Sequence, residues 1–224
     1  MIWLYSGTPG SGKSYHAVRD IVFRLKKKRG FNSVIANFPI DFPKSNFKYM
    51  NNAEMTVESF YNHATENHKI GIEGQTLVVI DEAQIIFNSR NWNSNGGERM
   101  RWIEFFSQHR KLGYNFILIA QFDRMLDRQI RCLIEYEVAH LKVNNYFRII
   151  PITTFLAVQR WYGQKLKVGV EYIFYRKSIA NYYDTMALFN NKDYQLNLPV
   201  GAGMGLEGPE PATAGSEAEC PILD

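Results

Sequence analysis

The sequence predicts an α/β fold: a parallel central sheet with helices on both faces, extended by antiparallel strands on its C-terminal side. The first part follows because short apolar runs alternate with segments of helical periodicity, and turn residues separate them. The extension follows because the residues after about 130 lose this pattern and become rich in β-branched and aromatic side chains.

The α/β half contains four predicted strands and three predicted helices. The apolar runs that are typical of buried parallel strands are Met1–Tyr5, Ser33–Ala36, Thr76–Ile80 and Asn115–Ala120. The segments with helical periodicity are Ser14–Lys28, Glu54–Asn67 and Arg99–Leu112. Glycines follow the first and third of these segments, as is common at helix C-termini.

The second half of the chain predicts strands that pair with one another as hairpins. The segments rich in β-branched and aromatic residues are Glu135–Val143, Phe147–Tyr162 and Val168–Tyr175. Asn144 and Asn145 form a turn signal between the first two segments. We therefore expect an antiparallel extension of the sheet in this region.

The last residues differ in composition from the body. Residues 196–224 repeat glycine and proline and contain five acidic side chains but no lysine or arginine. We predict one domain over residues 1–195, followed by a flexible Gly/Pro/acidic tail over 196–224. Residues 1–198 contain 26 basic and 17 acidic side chains. Their net charge of +9 is compatible with an anionic partner such as DNA or a lipid surface.

Composition and spacing argue against several protein classes. Apolar residues make up 46% of the chain and charged residues 21%, which is typical of a folded domain. The longest apolar stretch, Ile149–Val158, is shorter than the about 20 residues of a membrane-spanning helix, and the first residues lack the basic region of a signal peptide. Cys132 and Cys220 are far apart, and the histidines show neither HxxxH spacing nor a Cys/His cluster. We therefore expect no membrane span, signal peptide, disulfide framework or zinc site.

One glycine-rich motif is specific for a phosphate-binding loop. Residues 7–14 read GTPGSGKS and match GxxxxGK[ST] at each fixed position, between a predicted strand and an amphipathic helix. Glycines let backbone N–H groups surround phosphate oxygens, and the helix N-terminus adds partial positive charge. The motif predicts a P-loop NTPase. The alternative is a glycine-rich turn that holds no ligand.

The chemistry of this motif assigns a role to each of its last two residues. Lys13 is placed to reach the β- and γ-phosphates, and the Ser14 hydroxyl is placed to ligate Mg²⁺. The predicted nucleotide-binding residues are Gly7, Thr8, Pro9, Gly10, Ser11, Gly12, Lys13, Ser14 and Tyr15.

Two carboxylates, Asp81 and Glu82, directly follow the apolar run Thr76–Ile80. Ligands bind at the carboxyl ends of strands in open α/β sheets, so both side chains are candidates for the phosphate site. Asp81 would hold the magnesium shell through water, and Glu82 would orient and polarise the attacking water. The alternative is a strand that ends in a solvated acidic turn.

Gln121 and the arginines after it are further candidates. If the strand Asn115–Ala120 lies between the phosphate-loop strand and the carboxylate strand, the Gln121 amide would lie near the γ-phosphate and help to position water. Arg128 or Arg131 would reach a neighbouring subunit's γ-phosphate as an arginine finger, with Arg124 as a less favoured candidate. The alternatives are a polar residue leaving a strand and arginines on the surface.

For each of two further segments, the sequence is compatible with two different roles. Arg24–Arg29 is the densest basic run and lies at the end of the first predicted helix. It either complements the helix dipole or contacts DNA or anionic lipid. Ser89–Arg99 follows Glu82 as a loop. It either contacts a substrate or a neighbouring subunit, or it is a plain linker.

These motifs together resemble the N-terminal ATPase domain of the zonular occludens toxin (Zot) family, which includes the assembly and export ATPases of filamentous phages. The resemblance spans residues 1 to about 190, and it rests on GTPGSGKS (7–14), VVIDEAQ (78–84), SQHRKLGYNFILIAQ (107–121) and LDRQIRCLIEYEVAH (126–140). It implies a P-loop ATPase of the additional-strand catalytic-glutamate type that uses ATP and Mg²⁺. The matching positions are Lys13, Ser14, Asp81, Glu82 and Gln121.

The resemblance also implies a cellular setting. Such proteins are oligomers at the cytoplasmic face of the inner membrane, where they work with phage assembly or membrane proteins to extrude phage. Family members commonly carry a transmembrane helix and an extracytoplasmic domain after the ATPase. This sequence has neither, so we expect a short natural form or a portion of a longer protein.

Four functions are compatible with the residues. The first is an ATP-hydrolysing motor for the assembly and extrusion of filamentous phage. The second, a viral genome-packaging or DNA-translocating ATPase, would share every nucleotide-binding residue. The third, a small-molecule kinase, shares the loop but usually lacks the Asp-Glu pair. The fourth, a non-enzymatic nucleotide-binding module, would not need Glu82 to activate water.

Overall fold

The described part of the chain is built around an eight-stranded sheet. The computed structural model describes residues 1–27, 30–43, 46–88, 96–143 and 153–183. The strands are β1 (Ile2–Ser6), β2 (Ser33–Ala36), β3 (Phe47–Tyr49), β4 (Thr76–Ile80), β5 (Tyr114–Ile119), β6 (Tyr136–Val143), β7 (Thr154–Trp161) and β8 (Lys167–Phe174). The helices are α1 (Lys13–Leu25), α2 (Val57–Asn67), α3 (Gly96–Gln108), α4 (Arg128–Arg131) and α5 (Lys177–Ala180).

The order of the strands confirms the predicted fold class. Across the sheet they follow β3-β2-β4-β5-β1-β6-β7-β8. Neighbours from β3 to β6 run parallel, whereas β7 is antiparallel to β6 and β8 is antiparallel to β7. Leu118 of β5 pairs with Leu4 of β1 on one side and with Ile80 of β4 on the other. The strand that precedes Gln121 therefore lies between the phosphate-loop strand and the carboxylate strand, as the sequence analysis required.

The parallel strands read as uninterrupted apolar runs because helices cover both faces of the sheet. All five residues of β4 are buried. Val78 and Ile80 belong to a cluster with Phe60 of α2 and with aromatic side chains of α3. Leu77 and Val79 face the other way, into a cluster with the apolar side of α1. Alternate side chains of one strand thus bury apolar area in two cores.

Several boundaries differ from the sequence prediction because tertiary contacts decide them. The first helix ends at Leu25, before its predicted end, and Arg24 donates to the carbonyl oxygens of Ser33 (3.2 Å), Gly74 (2.5 Å) and Gln75 (3.1 Å). Arg24 therefore links the end of α1 to the residues that directly precede β4. Lys28 and Arg29 of the same basic run lie outside the described residues.

The other differences concern helix ends and short elements. The Thr56 hydroxyl accepts the N–H of Ser59 (3.2 Å), so α2 begins at Val57 and not at Glu54. The third helix runs from Gly96 to Gln108 where the prediction was 99–112. The short elements β3 and α5 were not predicted.

Several predictions concern residues outside the described ranges. These are the tail 196–224, the last residues of the predicted domain (184–195), the turn at 144–145, residues 147–152 of the predicted strand segment 147–162, Cys220 and residues 89–95 of the predicted loop. The last four residues of the predicted loop, 96–99, belong instead to α3, where an Arg99 nitrogen lies 3.3 Å from an Asp127 carboxylate oxygen. Within the described ranges, no helix combines the length and the apolar character that crossing a membrane would need.

A buried pair of histidines joins α1 to β6 beneath the end of β1. His16 Nδ1 lies 2.8 Å from His140 Nε2, and His140 Nδ1 lies 3.2 Å from the carbonyl oxygen of Ser6. A carbonyl oxygen only accepts, and Arg19 can only donate to His16 Nε2 at 2.9 Å. The bonds are therefore satisfied when both rings are neutral and carry their hydrogen on Nδ1.

We expect acid to lower the free energy of unfolding as the pH falls from about 6.5 to about 4. Burial lowers the pKa of His16 and of His140 from 6.5 to about 3, and it lowers the pKa of His63 and of His109 to about 4. In this window the unfolded chain takes up protons that the native rings do not, so acid favours unfolding. The stabilisation is complete above pH 6.5 and is lost as the pH falls toward the native values.

Urea denaturation at several pH values in this window measures how the free energy of unfolding changes with pH. The matched variant is His140→Gln, which removes one of the titrating rings. The variant should be less stable at neutral pH but should lose less stability on acidification. A wild-type unfolding free energy that stays constant over the window would contradict the prediction.

Candidate nucleotide-binding site

The loop between β1 and α1 is closed around the ammonium group of Lys13. Lys13 Nζ donates to the carbonyl oxygens of Gly7 (2.7 Å) and Thr8 (3.1 Å). The Ser11 N–H donates to the Thr8 carbonyl oxygen (3.2 Å), and the Gly7 N–H donates to the carbonyl oxygen of Gln121 (3.2 Å). The loop therefore forms a small cradle beside the end of β5, with the positive end of α1 at its base.

Two glycines let this loop pack directly on β6 and β7. A Cβ atom on Gly7 would lie 2.6 Å from the carbonyl oxygen of His140 in β6. A Cβ atom on Gly12 would lie 2.5 Å from the ring of Phe155 in β7, and the φ angle of Gly12 is +93°. Both positions therefore require glycine for space, and the φ angles of Gly7 (+143°) and Gly12 (+93°) also favour glycine at both.

The Ser14 hydroxyl and the Asp81 carboxylate meet at the end of the loop. Ser14 Oγ donates to Asp81 Oδ2 at 2.9 Å, and the Tyr183 hydroxyl donates to the same oxygen at 3.3 Å. Burial raises the pKa of Asp81, while the hydrogen bond from Ser14 opposes this change. Hydroxyl and carboxylate oxygens are the ligands that Mg²⁺ prefers, so this pair fits a magnesium ion with a mostly aqueous shell.

Asn37 fixes the backbone of Asp81 from the neighbouring strand. Its amide nitrogen donates to the Asp81 carbonyl oxygen (2.8 Å), and its amide oxygen accepts the Asp81 N–H (2.7 Å). Asn37 directly follows β2 and is buried. The sequence analysis missed it, although its position at the carboxyl end of a predicted parallel strand was a usable signal.

Glu82 is held in an uncommon backbone conformation that turns the chain away from the sheet. Its φ angle is +48°, in the left-handed region that residues other than glycine rarely adopt. Its N–H donates to Asp81 Oδ1 (2.9 Å), and the Gln84 amide donates to its Oε2 atom. The Glu82 side chain is partly exposed, so water can reach a carboxylate whose orientation is set by a neighbour.

The charges of the site act on one another across the loop. Burial lowers the pKa of Lys13, and the negative charges of Glu82 and Asp81 oppose that shift. The structure therefore brings Lys13, Ser14, Asp81 and Glu82 into one electrostatic cluster. The backbone of Gln121 joins this cluster through Gly7, while its side chain makes no hydrogen bond within the described ranges.

The arginines after β5 lie on and near the short helix α4. Arg124 and Arg128 are exposed. A guanidinium nitrogen of Arg131 lies 3.9 Å from Asp123 Oδ2. Within the described residues, neither Arg128 nor Arg131 hydrogen-bonds to the loop of its own chain. The structure thus separates these two predicted residues from the cluster around Lys13.

A cavity of about 530 Å³ opens beside the loop. Gly10, residues 12–15 and Val18 line one side of it, and Phe155, Tyr175, Ala180, Asn181 and Tyr183 line the other. The sequence analysis placed no site residue after Arg131, because nothing in the local pattern of β7, β8 or α5 marks these side chains. Their position follows only from the return of the antiparallel strands to α1.

Comparison with known proteins identifies a family. The family model described as zonular occludens toxin (Zot) matches residues 1–188. Relatives include the Gene 1 proteins of Enterobacteria phage I2-2 (29% identical over 136 residues) and Salmonella phage IKe (27% identical over 147 residues). These alignments cover 58% and 63% of this chain but only 37% and 40% of the relatives. The chain therefore spans about two fifths of their length.

A solved structure shares the fold. The N-terminal domain of zonular occludens toxin from Neisseria meningitidis matches with a TM-score of 0.53 and 20% sequence identity. The match covers 82% of this chain and 98% of that domain. At this level of identity the comparison concerns the course of the backbone.

We expect Gly12→Ala to abolish nucleotide binding and to lower the free energy of unfolding by about 2–5 kcal/mol. The added Cβ atom would clash with the Phe155 ring and would hold alanine at a φ angle of +93°. The matched control is Gly10→Ala, because Gly10 also has a positive φ angle (+74°) but nothing lies within 4 Å of the added atom.

Titration calorimetry with Mg·ADP and urea denaturation measure the two effects. The control should lose only about 1–2 kcal/mol through backbone strain. Equal losses of stability in the two variants would contradict the role of the contact with β7.

Proposed function

Because the chain belongs to the zonular occludens toxin (Zot) family, we propose that it hydrolyses ATP to ADP and phosphate as a motor for the assembly and extrusion of filamentous phage. The observation that carries the proposal is the 2.9 Å contact between Ser14 Oγ and Asp81 Oδ2 beside the loop that encloses Lys13. This arrangement pairs a phosphate cradle with oxygen ligands for a metal ion, as nucleotide hydrolysis requires.

Binding of the phosphates would exchange partners within the loop. The Lys13 ammonium would leave the carbonyl oxygens of Gly7 and Thr8 and bind oxygens of the β- and γ-phosphates. The loop N–H groups and the N-terminus of α1 would bind the remaining negative charge. Ser14 and Asp81 would hold Mg²⁺, which supplies neutralisation of charge on the β- and γ-phosphates.

Glu82 is the residue that we propose as the base. Its carboxylate would take a proton from a water molecule as the water oxygen bonds to the γ-phosphorus and the bond to the bridging β–γ oxygen breaks. Gln84 donates to Glu82 and would keep the carboxylate oriented. The Gln121 amide, at the end of β5, would help to position the same water molecule.

The phage setting rests on the family and on its relatives. The related Gene 1 proteins come from bacteriophages, which supports a role in the life cycle of a phage. We propose that the protein acts at the cytoplasmic face of the host inner membrane with phage assembly or membrane proteins. The basic body, with a net charge of +9 over residues 1–198, is compatible with contact to phage DNA.

We further propose that the motor is a homo-oligomer in which an arginine completes the site of a neighbour. Arg128 is exposed and makes no ion pair within the described part of the chain, whereas Arg131 lies close to Asp123. These contacts favour Arg128 over Arg131 as the residue that reaches a γ-phosphate in the next subunit.

Glu82→Gln should retain Mg·ATP binding and lower the turnover number by about 10²–10⁴-fold, because an amide cannot accept the proton of water. Phosphate release and titration calorimetry measure the two quantities. Lys13→Ala should instead weaken nucleotide binding, and Glu66→Gln, on the exposed side of α2, is the matched control. Normal turnover in Glu82→Gln would remove the assignment of Glu82.

Arg128→Ala should lower turnover by about 10³-fold or more without weakening Mg·ATP binding, because the missing charge acts only on the transition state of a neighbour. Lys111→Ala is the control, because it removes a positive charge from an exposed side chain that has no proposed role. Mixing Arg128→Ala with Glu82→Gln subunits should restore activity, because a mixed interface contains one intact site.

The absence of such complementation, together with a specific activity independent of protein concentration, would contradict catalysis between subunits. If Arg128→Ala hydrolyses normally and Arg131→Ala does not, the assignment passes to Arg131.

A further inference from the structure

The cavity beside the phosphate loop is formed by two distant parts of the chain. Tyr15 and Val18 of α1 line one wall, and Tyr175 and Asn181, which flank α5, line the other. Its volume of about 530 Å³ lies within the range of about 300–1,000 Å³ that is typical of small-molecule sites. The proposed function accounts for the loop end of this cavity and leaves the other end without a role.

The position of the cavity relative to the loop indicates which part of a nucleotide would enter it. Ser14 and Asp81 mark the metal end of the proposed site, where the β- and γ-phosphates would lie. The cavity that Ser14 lines is also lined by Tyr15, Tyr175 and Asn181. A phosphate chain held in the loop would therefore direct its nucleoside along this wall.

The aromatic wall is held rigidly. The Tyr15 hydroxyl accepts the N–H of Arg176 at 2.8 Å and donates to the carbonyl oxygen of Phe174 at 3.2 Å. The ring centroids of Tyr15 and Tyr175 are 5.3 Å apart. Tyr175 is 43% exposed, so its ring keeps free surface at the edge of the cavity. A flat base can stack on such a ring at little cost in side-chain entropy.

Asn181 brings a polar group to the same end of the cavity. Its backbone N–H donates to the carbonyl oxygen of Lys177, the first residue of α5. Its exposed side-chain amide makes no hydrogen bond within the described residues. An amide offers one donor and one acceptor side by side. The 6-amino group and N7 of adenine present the complementary pair, whereas guanine presents two acceptors there.

We propose that Tyr175 and Asn181 form a nucleobase subsite, in which Tyr175 stacks on the base and Asn181 selects adenine over guanine. This inference rests on the proposed function, since it requires phosphates in the loop. It assigns the β8–α5 segment a part in nucleotide recognition.

Calorimetry with three magnesium-bound ligands tests the subsite, because pyrophosphate lacks the base and ADP and GDP differ only in it. The wild-type protein should bind ADP about tenfold or more tightly than GDP. Asn181→Leu should weaken ADP binding until this preference is lost. Tyr175→Ala should weaken both nucleotides by about 5- to 100-fold. Neither variant should change the affinity for pyrophosphate.

Two controls separate recognition from folding. Tyr175→Phe keeps the ring and should keep the wild-type affinities, and Tyr172→Ala removes an exposed tyrosine of β8 that does not line the cavity. Wild-type affinity for ADP in both Asn181→Leu and Tyr175→Ala would overturn the subsite while leaving the proposed function intact. A wild-type protein that binds neither ADP nor pyrophosphate would overturn the proposed function and the subsite together.

Discussion

The phosphate-binding loop lies so close to β6 and β7 that two of its residues have no room for a side chain. The carbonyl oxygen of His140 occupies the space next to Gly7, and the ring of Phe155 occupies the space next to Gly12. The rear of the loop is thus shaped by strands from the second half of the chain. Strands β6 and β7 therefore support the phosphate-binding loop by direct contact.

The charged side chains around the loop are each paired with a neighbouring polar group. Lys13 binds loop carbonyl oxygens, Ser14 binds Asp81, and Gln84 binds Glu82. Burial nevertheless disfavours the charged forms, since it lowers the pKa of Lys13 and raises the pKa of Asp81. Negative phosphate oxygens and a divalent cation would each compensate one of these buried charges, so the site is electrostatically prepared for both together.

The sequence predicted the parts of the protein whose information is local. The phosphate-loop motif at residues 7–14 and the pair Asp81–Glu82 consist of residues that are neighbours in the sequence, so their spacing alone identified them. The alternation of apolar runs with helical segments predicted the parallel core. The end of α1 could not be predicted, because Arg24 binds carbonyl oxygens about fifty positions away. The elements β3 and α5 have three and four residues, too few for a periodic signal to develop.

The side of the cavity formed by Tyr175 and Asn181 could not be predicted from the sequence for a related reason. Tyr175 and Asn181 come to α1 only because the antiparallel strands β7 and β8 lead the chain back to it, and no sequence motif indicates that return. Asn37 is an intermediate case, since its place at a strand end was predictable but its bonds to the backbone of Asp81 were not. The roles of Lys13, Glu82, Gln121 and Arg128 stay predictions, because geometry alone does not measure turnover.

The histidine pair beneath the loop also gives the protein an internal spectroscopic reporter. The hydrogen bonds run in one direction from Arg19 through His16 and His140 to the Ser6 carbonyl oxygen, which holds both rings in a single tautomer. Nitrogen-15 chemical shifts distinguish ring nitrogens that carry hydrogen from those that do not. His140 also lies next to Gly7 of the phosphate-binding loop. The chemical shifts of its ring nitrogens would therefore report whether the loop holds a ligand, without a dye or a label attached to that ligand.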